Sequence, residues 1–218
     1  MDKYVFLASL SASDKRVSVL DVGCGNDSAF WTKQVLPECH YVGIDIEDYA
    51  FEKKEFANEY YLTDSLKFAG LIHDVGVQDS AGTKSEYGKF DAVISAHNLE
   101  HVHDRFATLI AMCSALKKGG RIFLAFLSSK TVYFPSRIGS LNYYDDPSHT
   151  GEPPNFSETI SILEQNGIII SFKARRYRDS RKPLTGIRNE YKSHRTKSVL
   201  EGTWALWGFE SIIWGERA

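Results

Sequence analysis

The feature that most constrains this chain is a short apolar run that ends in glycines. Val17–Asp21 (VSVLD) reads as a buried strand and runs into Val22-Gly23-Cys24-Gly25-Asn26-Asp27. A parallel strand delivers such a turn to the carboxyl edge of an open sheet, where α/β folds bind ligands. Gly23 and Gly25 let the backbone turn sharply and let a ligand approach the main chain. Asp45 follows Gly25 by twenty residues, at the end of a second apolar run, Tyr41–Ile46 (YVGIDI). A carboxylate at that place can accept the hydroxyl protons of a ribose.

Further apolar runs of strand length recur along the chain: Tyr60–Thr63, Phe90–Ser95, Arg121–Leu127 and Ile168–Phe172, with a last strand expected within Trp204–Trp214. Between them, Ser28–Leu36 has helical character, with Asp27 or Ser28 as N-cap and Pro37 as stop. Asp104 caps a second helix, in which Phe106, Leu109, Ile110, Cys113 and Leu116 fall at helical spacing and Gly119-Gly120 is the expected end. Ser157–Gln165 is a third. Strands alternating with helices imply a mainly parallel sheet covered on both faces. No helical pattern stands out between the last two strands, so they are expected to pair as an antiparallel hairpin joined by a long basic loop. The chain is read as one domain, 1–218, with inserted cap segments at about 128–155 and 174–203.

A glycine pair followed by an acid also suits a dinucleotide. Two residues argue against it: Ser28 replaces the third glycine of that fingerprint, and Asp27 stands where the helix begins. A pyrophosphate needs that helix N-terminus, and an aspartate there repels it. S-adenosylmethionine carries a sulfonium cation and no phosphate, and a pocket bearing Asp21, Asp45 and Asp64 suits it.

In order, VLDVGCG, GIDI, FDAVISAHNLEHV and LKKGGRIFLAF resemble the motifs of class I S-adenosylmethionine-dependent methyltransferases over about residues 17–127. LEHV is similar to the segment found in small-molecule enzymes, including ubiquinone-type O-methyltransferases. The resemblance implies a three-layer, Rossmann-like seven-stranded sheet whose last strand is antiparallel. It implies that the loop of Asp21, Gly23, Cys24 and Gly25 holds the methionine part and that Asp45, with Ile46, meets the ribose. Asp64 and Ser65 would meet the adenine, and Ala96 would border the same site. The departure from the family pattern is Asp27, where a third glycine is common.

His97, Asn98, Glu100, His101, His103 and Asp104 cluster past the fourth strand, beside the place expected for the methyl group. A hydroxyl acceptor must lose a proton, and histidine is the suitable base near neutral pH. His97 and His101 are the first candidates and His149 the next. The aromatic, polar stretch from Tyr133 to His149 is similar to insertions in glycan-pathway methyltransferases. Within it, Tyr133, Arg137, Tyr144 and Asp146 are candidate acceptor contacts. Asp145, Asp146 and His149 lack a tight ligand motif, so no metal is expected.

The net charge of −2 argues against a general nucleic-acid binder, but it averages two unlike regions. Residues 173–197 carry +8, and the remainder −10. Arginine grips carboxylate and phosphate through two donors. Arg175 and Arg176, with Arg178 and Arg181, are therefore candidates for an anionic part of the acceptor. The expected activity is methyl transfer to a hydroxyl of a small or saccharide-like acceptor. Alternatives are an RNA or protein methyltransferase docking through 173–197 and a non-catalytic cofactor-binding protein. The three cysteines form no CxxC pair, which favours a reducing cytoplasm over a disulfide framework or a zinc site. No apolar stretch approaches the ~20 residues that span a bilayer.

Overall fold

A computed structural model describes residues 3–11, 16–47, 54–77, 88–178 and 182–218. Its centre is a seven-stranded sheet in the order β3-β2-β1-β4-β5-β7-β6. The strands are β1 (Ser18–Val22), β2 (His40–Asp45), β3 (Glu59–Leu62), β4 (Phe90–Ala96), β5 (Leu116–Leu127), β6 (Ile168–Tyr177) and β7 (Glu210–Arg217). All neighbouring pairs are parallel except those made by β7, which runs antiparallel to both β5 and β6. The expected α/β sheet with a reversed last strand is therefore present. The order turns back between β1 and β4, and a crevice opens outside the carboxyl ends of strands at such a point.

Alternation along the strands gives the sheet two apolar faces. Leu20, Val22, Val93, Leu124 and Phe126 join α3 (Phe68–Val77), α4 (Arg105–Ser114) and α5 (Phe156–Gln165) on one side. Val19, Ala92, Ile94, Phe123 and Ile212 join α1 (Lys3–Ala8) and α2 (Ser28–Val35) on the other. Phe6 of α1 packs edge-on against Trp214 at 5.3 Å between ring centroids. A third cluster, Leu127, Phe134, Leu141, Tyr143 and Phe209, joins segment 128–155 to the turn before β7.

Several expectations change. The helix capped by Asp104 stops at Ser114, not at the glycine pair. Leu116 keeps helical spacing, yet its backbone already pairs with Phe90 of β4, and Gly119 (φ +71) sits in a bulge of β5. There is an ordered helix where a loop was expected between the last strands: α6 (Lys182–Thr196), followed by α7 (Thr203–Trp207). Its pattern is invisible in the sequence because its buried positions are Gly186 and Ser193, while Leu184, Ile187 and Tyr191 face out. A Cβ on Gly186 would lie 2.3 Å from the Gly202 carbonyl, so the two segments meet through their backbones. Trp204–Trp214 is a helix and a strand rather than one strand, divided at Gly208 in the left-handed region (φ +67). Among the described residues no helix is long and apolar enough to cross a membrane. Arg181, one of the candidate basic contacts, lies outside the described residues.

Candidate active site

The glycine loop is fixed before any ligand arrives. The Gly23 amide donates to the Ile44 carbonyl at 2.9 Å, and the Gly25 amide donates to Asp45 Oδ2 at 2.7 Å. Gly23 has a φ of +73, and a Cβ there would lie 2.4 Å from Asn98, so no side chain fits. Gly25 is also left-handed (φ +56), and a Cβ on it would meet only open space. That opening lets a ligand lie against the main chain.

Each sequence candidate can now be placed. Asp21 is buried and accepts from Tyr41 Oη at 2.8 Å and from the Ser28 hydroxyl, with Lys3 Nζ 3.8 Å away. It anchors the loop from beneath. Cys24 is buried as well, and its burial together with Asp21 and Asp45 pushes the thiol pKa far up, so it stays a neutral packing group. Asp45 accepts from the Gly25 and Ile46 amides, each at 2.7 Å. Burial raises its pKa, while those amides work against the rise. The Asn98 side chain is 6% exposed, and its Nδ2 has no hydrogen-bond partner among the described residues. An orphaned buried donor beside an open glycine cradle fits a ligand carboxylate. Asp64 and Ser65 are different: both are exposed, and Asp64 caps the turn into α3 by accepting from the amides of Leu66 and Lys67, each at 3.0 Å.

A cavity of about 660 Å³ opens past β4, on the α1 side of the sheet. Ala96, His97, Phe123, Ala125, Ile212 and Glu210 form the sheet side, and Trp204, Ala205 and Phe209 face them from the α7 region. Trp204 and Phe209 are stacked, with ring centroids 5.4 Å apart. Lys3 and Lys182 bring positive charge to the wall, and Glu201 and Glu210 bring negative charge.

His97 occupies the wall in a left-handed conformation, φ +53, which is costly for a residue with a Cβ. Its Nε2 lies 2.9 Å from Glu210 Oε1. A carboxylate can only accept, so Nε2 carries a proton, and when the ring is neutral Nδ1 has the lone pair. Burial alone would lower the imidazole pKa, but the Glu210 carboxylate outweighs it and holds the pKa above its ordinary value. Glu210 is opposed by burial too, yet the bond to His97 holds its own pKa low.

The other two candidate bases stand elsewhere. His101 and His149 do not line the cavity; they meet at Asp146, with ring centroids 4.8 Å apart. Tyr133 and Tyr144 are exposed and outside the cavity wall. Arg137 is 4% exposed and spends its guanidinium on both Glu190 oxygens and on Ser193 Oγ. It clasps segment 128–155 to α6 and does not line the cavity. Arg175 and Arg176 are exposed and do not line the cavity; Arg175 donates to Ser157 and covers Phe156, and Arg176 donates to the Trp207 carbonyl.

The residues that sequence reasoning missed are Glu210, Lys3, Lys182, Trp204 and Phe209 in the cavity, and Arg105 behind it. Arg105 donates to the carbonyls of Leu99, Thr150 and Glu152 and so ties the loop after β4 to segment 150–152. Glu210 and Lys3 carry no local signal, because each acts on a partner far away in the chain.

Comparison with known proteins agrees with this geometry. Residues 13–132 match a family model described as a methyltransferase domain. The human mitochondrial ubiquinone biosynthesis O-methyltransferase is 27% identical over 163 residues, which cover 71% of this chain and 42% of that protein. The tRNA U34 carboxymethyltransferase of Campylobacter fetus is 32% identical over 115 residues, 53% of this chain and 37% of that one. The chain thus spans less than half the length of these curated relatives. An S-adenosylmethionine-dependent methyltransferase structure from Mesorhizobium loti superposes with a TM-score of 0.61 at 14% identity, covering 98% of this chain and 96% of that one. At that identity the likeness establishes the fold.

Proposed function

We propose, from the premise that the chain belongs to the methyltransferase-domain family matched by its residues 13–132, that it methylates a hydroxyl of a small or saccharide-like acceptor. The cofactor of this reading is S-adenosylmethionine, which supplies a methyl group on a sulfonium centre. The Gly23–Gly25 loop and Asn98 receive its amino-acid part, and Asp45 receives the ribose through the lone pairs its amide partners leave free. The acceptor enters the cavity, where the stacked Trp204 and Phe209 and the ring of Phe123 offer apolar faces to a ring.

The observation that carries the reading is the His97–Glu210 pair on the cavity wall. Methyl transfer itself asks for alignment and exclusion of water. A hydroxyl also asks for a base, and His97 Nδ1 is a base whose ring is oriented by a carboxylate. When the acceptor oxygen takes the methyl group, the carbon–sulfur bond would break and S-adenosylhomocysteine would leave; the hydroxyl proton would pass to His97 Nδ1, and Glu210 would stabilise the imidazolium that results. A nucleic-acid acceptor has less support, because Arg175 and Arg176 are bonded to protein groups and do not line the cavity.

The test is S-adenosylhomocysteine release with a panel of phenols, catechols and glycosides across a pH series. His97→Asn lowers turnover by roughly 10²–10⁴-fold and leaves cofactor affinity intact. The base works when neutral, and its pKa is raised, so wild-type kcat/KM climbs with pH through a midpoint above the ordinary imidazole value. Glu210→Gln removes what favours the imidazolium and leaves the burial that opposes it, so the midpoint moves to lower pH. Wild-type turnover by His97→Asn defeats this reading.

A further inference from the structure

A second group of side chains converges away from the cavity, where the loop after β4 meets segment 143–150. We propose that His101, Asp146 and His149 form a binding site for a divalent transition-metal ion of the zinc class. One ligand atom from each residue lies within 4.8 Å of the other two. All three residues are half-buried, so the site is both shaped by the protein and open to an ion.

The hydrogen bonds around the group determine which atoms are left to bind. His149 Nδ1 lies 2.6 Å from the Tyr143 carbonyl oxygen. A carbonyl only accepts, so Nδ1 carries the proton and Nε2 presents a lone pair. That Nε2 stands 3.9 Å from Asp146 Oδ2. The other carboxylate oxygen, Oδ1, is already engaged, accepting from the Ser148 hydroxyl at 2.5 Å and from the Ser148 amide at 2.9 Å. With its proton committed to Asp146, the Ser148 oxygen accepts from His101 Nδ1, 3.0 Å away. His101 Nε2 is then a lone pair too. The Tyr143 ring stacks on His149 with centroids 4.5 Å apart, which fixes the plane of that imidazole.

Each ligand is therefore held from behind by an oxygen partner while its free lone pair points forward. This is the arrangement of metal-bound histidines, whose second nitrogen donates to a carbonyl or a carboxylate and so sets the tautomer. Around a tetrahedral ion with Zn–N and Zn–O distances near 2.0–2.2 Å, ligand atoms stand roughly 3.3–3.5 Å apart. The 3.9 Å between His149 Nε2 and Asp146 Oδ2 needs only a small closure to reach that. Two imidazoles and one carboxylate suit zinc and its neighbours, whereas magnesium and calcium prefer oxygen throughout. Three protein ligands leave at least one position for water or an incoming oxygen. The bound ion would fasten the loop after β4 to segment 143–150, beside the tie that Arg105 already makes. The site does not depend on the cavity, the cofactor or the acceptor.

The experiment is calorimetric titration of the chelator-treated full chain with Zn²⁺, with metal counted per chain after gel filtration. The expected result is one ion per chain and a higher Tm in its presence. Asp146→Asn and His149→Gln abolish saturable uptake. Ser148→Ala, which removes only the supporting hydroxyl, weakens it by about 10–100-fold. Circular dichroism and S-adenosylmethionine affinity of the variants report whether the fold is kept. No uptake by the wild type, Mg²⁺ bound as tightly as Zn²⁺, or unchanged uptake by the triple variant His101→Gln/Asp146→Asn/His149→Gln would overturn the proposal.

Discussion

The Gly23–Gly25 loop and the cavity beside His97 share one edge of the sheet, but they are held there by different means. The loop is short-range: β1, the turn and β2 lie within residues 18–45, and their bonds link parallel neighbours, with Gly23 donating to Ile44 and Gly25 to Asp45. The cavity is long-range. Its wall needs His97 just after β4, Glu210 from β7, Lys3 from α1 and Trp204 from α7, all brought together by tertiary packing. The difference teaches where each kind of information resides. A cofactor common to many enzymes can be received by one local motif on an invariant strand order. An acceptor must be received by a surface assembled from distant segments, and those segments can vary while the sheet stays.

If the comparison holds, the acceptor side depends on clasps such as Arg137 with Glu190, and the cofactor side does not. Arg137 is 2% exposed and Glu190 28% in their side chains, and the guanidinium also reaches Ser193 and lies over the Trp207 ring. Arg137→Ala leaves the half-buried Glu190 carboxylate and the buried Ser193 without their partner, at a cost of about 1–3 kcal/mol in denaturant unfolding. Removing Glu190 as well recovers part of that loss. S-adenosylmethionine affinity stays as it was. A stability change indistinguishable from zero would mean that segment 128–155 and α6 stand together without this clasp, and the contrast between the two sides would weaken.

The cofactor side is probed at Asp45. Its carboxylate is almost wholly buried, fixes the Gly25 amide, and has lone pairs to spare for a ribose. Asp45→Ala orphans the amide and removes the proposed ribose acceptor, which is expected to weaken S-adenosylmethionine binding by ~1–3 kcal/mol, or roughly 5–150-fold. Calorimetry reads this directly. Unchanged affinity would detach the loop from the cofactor and leave the two sides alike in having no assigned ligand.

What the sequence disclosed follows the same division. VSVLD, YVGIDI and FDAVIS are buried on both faces and so read as continuous apolar strands, which is why the parallel sheet was legible. The antiparallel β6–β7 pair was legible for the opposite reason: no helix was visible to carry a crossover between them. That inference reached the right pairing through a mistaken premise, since α6 is there. It was hidden because it packs through Gly186 against Gly202, and a helix that buries small residues leaves no apolar stripe to count. His97 was found from its place after a strand. Its partner Glu210 was not, because nothing near that residue in the chain distinguishes it from a surface glutamate. For Arg175 and Arg176 a run of charge shows composition and not direction: one bonds to a serine of α5 and the other to a backbone carbonyl.

Asp64 is the smallest and sharpest case, because it is local like Asp45 and yet solvent-exposed. Family resemblance assigns it to the adenine. In the structure its Oδ1 is bonded to the amides of Leu66 and Lys67, and Lys67 Nζ lies 3.3 Å from Oδ2. The two amides and Lys67 hold its pKa low, so it stays ionised and keeps the turn before α3 closed. Asp64→Asn retains one carbonyl oxygen for the turn amides and replaces the other oxygen by an amide that cannot accept. If Asp64 serves only the turn, this variant binds S-adenosylmethionine as the wild type does. If the spare oxygen accepts from the adenine amino group, the variant loses one hydrogen bond to a charged acceptor and binds the cofactor more weakly. We expect the first outcome, because the two amides and Lys67 already occupy the carboxylate on its protein side. A loss of the same size as that of Asp45→Ala would extend the local motif from the glycine loop to β3 and enlarge the part of the site that short-range sequence controls.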